Sequence, residues 1–95
     1  MKFAFIILGD FDAVRDRAEI RGGRARIWGV SSLAEACAAA KALEREGVGC
    51  IELCGAFGPD GARRIIEATG NRIPVGYVTH LPEQEAVYRA AFPND

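Results

Sequence analysis

Ninety-five residues are enough for one compact domain and too few for two, so the chain is read as a single α/β domain over 1–95. With 49% hydrophobic and 26% charged residues, the composition excludes a disordered tail, and the longest apolar run, residues 3–8, is far too short to cross a bilayer. Twelve basic residues against thirteen acidic ones, the arginines scattered and not clustered, argue against nucleic acid as a partner.

Residues 2–8 form a short continuous apolar run closed by Gly9, the pattern of a strand covered on both faces. From Asp10 to Glu19, Phe11, Val14 and Ala18 fall at helical spacing and Gly22 with Gly23 stops the segment, which predicts a short helix. Residues 24–30 alternate, with Ala25, Ile27 and Gly29 on one face and Arg24, Arg26 and Trp28 on the other, as expected of a half-exposed edge strand. Ser32 with Glu35 three residues later makes a capping box. Behind it Leu33, Ala36, Cys37, Ala40 and Leu43 form an apolar helical stripe that ends at Gly47.

Residues 48–54 read as a strand, and Pro59 opens a helix that carries Ala62, Ile65, Ile66 and Thr69 inward before Gly70. Residues 73–79 are the last strand, Pro82 opens a final helix with Ala86, Val87 and Ala90 on one side, and the tail 92–95 is expected to fray. Strands alternating with helices predict a small three-layer sandwich, flavodoxin-like or half-barrel-like. Its sheet is four-stranded and mainly parallel, in the order 2-1-3-4. In such a sheet ligands bind at the carboxyl ends of the strands where the order reverses, here between the strands ending near Asp10 and Cys54.

Three candidate catalytic groups gather by this argument. Cys50, Glu52 and Cys54 share one strand face, and an ionised Glu52 inside a sheet needs a partner or a cavity; Arg26 is the simplest candidate partner. His80, the only histidine, follows the last strand on the same edge as Cys54, and a thiol beside an imidazole is a nucleophile or an acid/base pair. Gly55, Gly58 and Gly61 leave a turn whose amides face the start of a helix, so Asp10, Gly55, Phe57, Gly58 and Gly61 are the expected ligand-binding residues. No cysteine pair has metal-ligand spacing and no nucleotide-binding fingerprint is present, so neither metal nor cofactor is expected, and the odd, unspaced cysteines fit a reducing cytoplasm.

The strip 51–58, with Glu46, Gly47 and Val48 before it and Pro74, Val75 and Gly76 after it, resembles family 6506 of domains of unknown function, small bacterial α/β proteins. The resemblance runs from the first strand to about Thr79 and implies the fold without naming a reaction. A looser similarity is to the (β/α)₈ aldolases of the 2-keto-3-deoxy-phosphogluconate type, in which Glu52 would stand for the acid/base glutamate. Those enzymes need a strand-end lysine, and Lys2 and Lys41 are both misplaced for it. The expectation is therefore a site for a small anionic metabolite at the carboxyl edge, with isomerase- or lyase-type proton transfer if it is an enzyme. The alternative is a non-catalytic homo-oligomeric module that pairs through the edge strand bearing Arg24, Arg26 and Trp28.

Overall fold

Alternation along the first strand separates two unlike faces of the sheet. In the computed structural model, which describes residues 1–93, strand β1 (Lys2–Leu8) turns Ala4 and Ile6 into a closed interior. Phe3 and Phe5 point the opposite way and remain 37% and 36% exposed. The tail expected to fray lies partly outside the described residues, at 94–95.

The segment after β1 is not the expected helix. The Asp12 carboxylate accepts the amides of Val14 and Arg15, both at 2.9 Å, and the Asp16 carboxylate accepts the Asp12 amide at 2.7 Å. These local bonds hold one tight turn and end it, as short acidic side chains do when they compete with a helix for backbone groups. The chain then extends as β2 (Arg17–Ile20), antiparallel to β3 (Ala25–Val30). Gly22 and Gly23, read as a helix stop, make the hairpin corner. Arg21, Gly22 and Gly23 all take positive φ there, a conformation that glycine adopts without steric penalty.

Helix α1 (Leu33–Arg45) starts where the sequence places it, with the Ser32 hydroxyl accepting the Glu35 amide at 3.1 Å and the Glu35 carboxylate accepting the Ser31 amide at 2.7 Å. It buries Ala36, Ala39, Ala40 and Leu43; Leu33 and Cys37 pack at the margin. Strand β4 (Val48–Leu53), helix α2 (Gly58–Ala68) and strand β5 (Val75–Tyr77) follow. Thr69, just past α2, is fully buried because its hydroxyl donates back to the carbonyls of Ile65 and Ile66. The last helix, α3 (Glu85–Ala91), buries none of its residues, so Ala86, Val87 and Ala90 do not form the packing face expected of them.

The sheet is five-stranded and mixed, in the order β2-β3-β1-β4-β5, with only the β2–β3 pair antiparallel. The expectation of four strands, mainly parallel, in the order 2-1-3-4 is corrected by this fifth strand. Residues 24–30 lose their edge position to it. Trp28 is 4% exposed, buried on the helix side under the Arg17 guanidinium, which lies 3.7 Å from the ring centroid. Neither Trp28 nor its strand is free to pair edge to edge with a second copy.

The three-layer expectation is corrected for a related reason. The crossovers β3–α1–β4 and β4–α2–β5 both step in the same direction across the sheet, so right-handedness places both helices on the same face. A helix between β1 and β3 would step the other way and cover the opposite face; a hairpin strand stands in its place. One core forms on the helix side, from Ile6, Trp28, Ile51 and Leu53 against Ala40, Leu43 and Ile65.

On the open side the turn after β1 lays Phe11 across Gly29, where an added Cβ would stand 2.7 Å from the ring's Cγ. Gly29→Ala therefore has to displace Phe11. We expect a loss of about 1–3 kcal/mol in urea denaturation, with Phe11→Ala in the same chain relieving part of it.

Candidate functional site

The carboxyl ends of β4 and β5 open onto a cleft of about 440 Å³. One wall is the turn after β4, through Gly55, Ala56, Gly58 and Pro59; the other is the strand end at 77–80 facing α3. Gly58 has φ of +61° and lies at the start of α2, so the turn and the positive end of that helix border the same space. Asp60 in the first turn of α2 is exposed and is held by Arg63 at 2.8 Å.

His80 faces the cleft and is fixed on two sides. Its imidazole is stacked on Tyr88, with ring centroids 3.9 Å apart and planes 12° apart, and Tyr88 in turn stacks on Phe92 at 6.0 Å. Its Nε2 lies 2.7 Å from the Glu85 carboxylate, which also accepts from Arg89 at 3.0 Å. Glu85, Tyr88 and Arg89 fall at spacings of three and four on α3, which places them on one side of that helix, and Phe92 follows as its C-cap. The bond to His80, more than that to Arg89, holds the Glu85 carboxyl below the usual glutamate range.

The other expected catalytic groups face elsewhere. Glu52 pairs in register with Phe5 and Gly76, on the open side of the sheet. Its carboxylate lies across Gly76, where a Cβ would stand 2.7 Å from Oε2, so the glycine makes the room the carboxylate occupies. No helix covers it, which is how a carboxylate survives in mid-strand with no ion-pair partner among the described residues. Arg26 does not serve it: that guanidinium is on the helix side and pairs with Glu46 and Glu19. Cys50 contacts Glu52 at 3.7 Å, and burial first, the neighbouring carboxylate second, pushes its thiol up from the ordinary range.

Cys54 is engaged with β1. Its Sγ accepts the Leu8 amide at 3.3 Å, at the point where the β1–β4 ladder ends. His80 is turned toward α3, so the two groups that the sequence pairs are held by different elements. Phe57 is buried in the core, and Gly61 packs against it, an added Cβ standing 3.1 Å from Phe57 Cβ. Asp10 is exposed beyond β1 and is not among the residues lining the cleft. Of the eight expected site residues, Gly55, Gly58 and His80 meet in one cleft. Tyr88 and Phe92 were missed, although their spacing of four residues in a segment following the only histidine is a readable signal.

The model of a family of unknown function matches residues 1–93. The chain belongs to that family, DUF6506. No curated protein and no solved structure matches it. The DUF6506 match continues through α3, so the family extends past Thr79, the limit expected for the resemblance, and includes the aromatic wall of the cleft.

Two outcomes follow from these contacts. Because the folded pKa of Glu85 is depressed, its contribution to holding α3 is present above the unfolded glutamate value and lost as pH falls through the folded one. A carboxyl NMR titration should place the Glu85 midpoint below the ordinary 4.5, and His80→Ala should raise it. Cys54→Ala leaves the Leu8 amide without its acceptor and should lower stability by about 1 kcal/mol, whereas Cys54→Ser, which keeps an acceptor, should recover part of that in urea melts.

Proposed function

We propose that this DUF6506 chain binds a small, flat molecule in the cleft between the β4–α2 turn and α3, with an anionic group on that molecule directed at the turn. The observation that carries the reading is the His80–Tyr88 stack bordering a 440 Å³ space at the carboxyl edge of the sheet. The rings of His80, Tyr88 and Phe92 line one wall of this space with aromatic surface, and tyrosine and histidine each add a polar atom at its rim. The opposite wall has little side-chain bulk at Gly55 and Gly58 and adjoins the start of an eleven-residue helix, which favours negative charge. His80 supplies a hydrogen-bonding group whose position Glu85 sets.

This reading narrows the expected chemistry. No hydrogen bond joins Glu52, Cys54 and His80 among the described residues: Glu52 lies on the open side of the sheet, Cys54 accepts the Leu8 amide and His80 pairs with Glu85. A reaction in the cleft would rest on His80 with Glu85 as its orienting partner, the arrangement of a single acid/base group. Binding is the activity the geometry supports best.

The test uses three probes against the full chain by amide NMR: benzoate, with ring and charge; benzyl alcohol, with ring only; and inorganic phosphate, with charge only. Benzoate should shift the amides of 55–58 and the resonances of Tyr88 and His80, and Tyr88→Ala should weaken it about tenfold, the loss of one aromatic contact. Benzyl alcohol and phosphate should bind more weakly. The reading fails if benzoate leaves those signals unmoved, or if it binds Tyr88→Ala and His80→Ala as well as the parent chain.

A further inference from the structure

Helix α3 is too weak to stand by itself. Its seven residues are about half of the roughly 12–15 at which an isolated helix becomes even marginal in water, it buries none of them, and no side chain caps its start. The chain before it turns at Pro82–Gln84 and leaves Leu81 exposed, so no packed residue anchors the helix from that side. Among the described residues no hydrogen bond, ion pair or ring stack joins α3 to α1, α2 or the sheet. Its side chains are held instead by two contacts to one residue outside it, the Glu85 bond and the Tyr88 stack on His80.

We propose that α3 is a proton-controlled wall of the cleft with His80 as its latch, folded against the cleft while the imidazole is charged and loosened when it is neutral. Both contacts strengthen with the same proton. The bond from Nε2 to the Glu85 carboxylate, 2.7 Å long, becomes an ion pair when the ring is protonated. The stack on Tyr88, with centroids 3.9 Å apart, becomes a cation lying over an aromatic face. With the ring neutral, the first is an ordinary hydrogen bond and the second a contact between uncharged rings. Tyr88 and Phe92 line the cleft, so a loosened α3 takes that wall away. The consequence for binding rests on the cleft reading above; the latch itself belongs to the ligand-free chain.

The groups around the imidazole set the direction. From α3 come the Glu85 carboxylate, the Tyr88 phenol and, on the other oxygen of Glu85 at 3.0 Å, the Arg89 guanidinium. Glu83 in the preceding turn is exposed. The strand end contributes the hydroxyls of Tyr77 and Thr79, and the facing turn, through Gly55, Ala56, Gly58 and Pro59, contributes no charge. The first charge beyond that turn, Asp60, is taken by Arg63. The ion pair needs both partners charged. His80 first, and Arg89 second, hold the Glu85 carboxyl below the usual glutamate range, so the carboxylate persists into acid. The latch is therefore tightest between the Glu85 and His80 titrations, lost toward acid as Glu85 protonates and toward base as the imidazole gives up its proton.

NMR of the full chain without any ligand tests it, the Cα shifts of 86–91 reporting the helix and the His80 ring signals reporting its proton. Raising the pH through the imidazole titration should lower the folded-to-loosened ratio of α3 about two- to fivefold, the range of a part-exposed ion pair. The step should share the midpoint of the His80 ring, while the shifts of α1 and α2 stay fixed. Glu85→Gln should remove most of the step although His80 still titrates. His80→Gln, which keeps a donor but no titrating ring, should remove it altogether. Glu83→Gln, which takes an equal charge from the preceding turn, should leave it in place. Shifts of 86–91 that stay constant while the His80 ring titrates overturn the inference. So does a step that survives both Glu85→Gln and His80→Gln, or one that α1 and α2 share. Benzoate failing to bind sinks the cleft reading alone, because the latch is measured with no ligand present.

Discussion

Both packed helices of this protein lie on one side of its sheet, and most of its other features follow from that. The cause is the connection between β1 and β3. A helix there would have stepped toward the β3 side and, being right-handed, covered the second face. The chain instead turns tightly on Asp12 and Asp16, extends as β2 and pairs back on β3. One core then has to hold the fold, built from Ile6, Ile51 and Leu53 against Leu43 and Ile65, while Phe3 and Phe5 on the same strand as Ile6 are left facing out.

That asymmetry also divides the chemistry of strand β4. Alternation sends Leu53 into the core and Glu52 to the open side, where the missing side chain of Gly76 gives the carboxylate its space. One residue on, Cys54 is taken up by the Leu8 amide. Only after the strand ends does the backbone reach the cleft, through Gly55 and Gly58. The cleft acquires its ring surface and its charge from α3, a short helix that contributes nothing to the core. Its Tyr88 and Glu85 hold His80 from two directions. A site at the strand ends and an apolar face on the sheet's flank are therefore separate surfaces, reached by different residues of one strand.

The two long helices were legible in the sequence because their signals are local. Ser32 with Glu35 and the stripe through Ala36, Ala40 and Leu43 mark α1, and Pro59 with Ala62 and Ile65 marks α2. The four strands that the sequence suggested are present, the last shortened to Val75–Tyr77. Strand β2 was not legible: Phe11, Val14 and Ala18 satisfy a helical period as well as Ala18 and Ile20 satisfy a strand period. What separates the two is Phe11 lying on Gly29 and Arg17 lying on Trp28, contacts made across ten or more residues of chain.

The candidate site divides in the same way. Composition, the apolar periods and the glycine turn after Leu53 determined by themselves an α/β chain with a turn poised at the carboxyl edge of its sheet, because each is set by residues within a few positions of one another. Which side chains meet there was decided by tertiary structure alone. Alternation tells that Glu52 and Cys54 share a face. It cannot tell that no helix covers that face, or that His80 is held by α3 and Cys54 by β1. Those outcomes depend on where whole elements dock, and docking is set by handedness and by the packing of a single core.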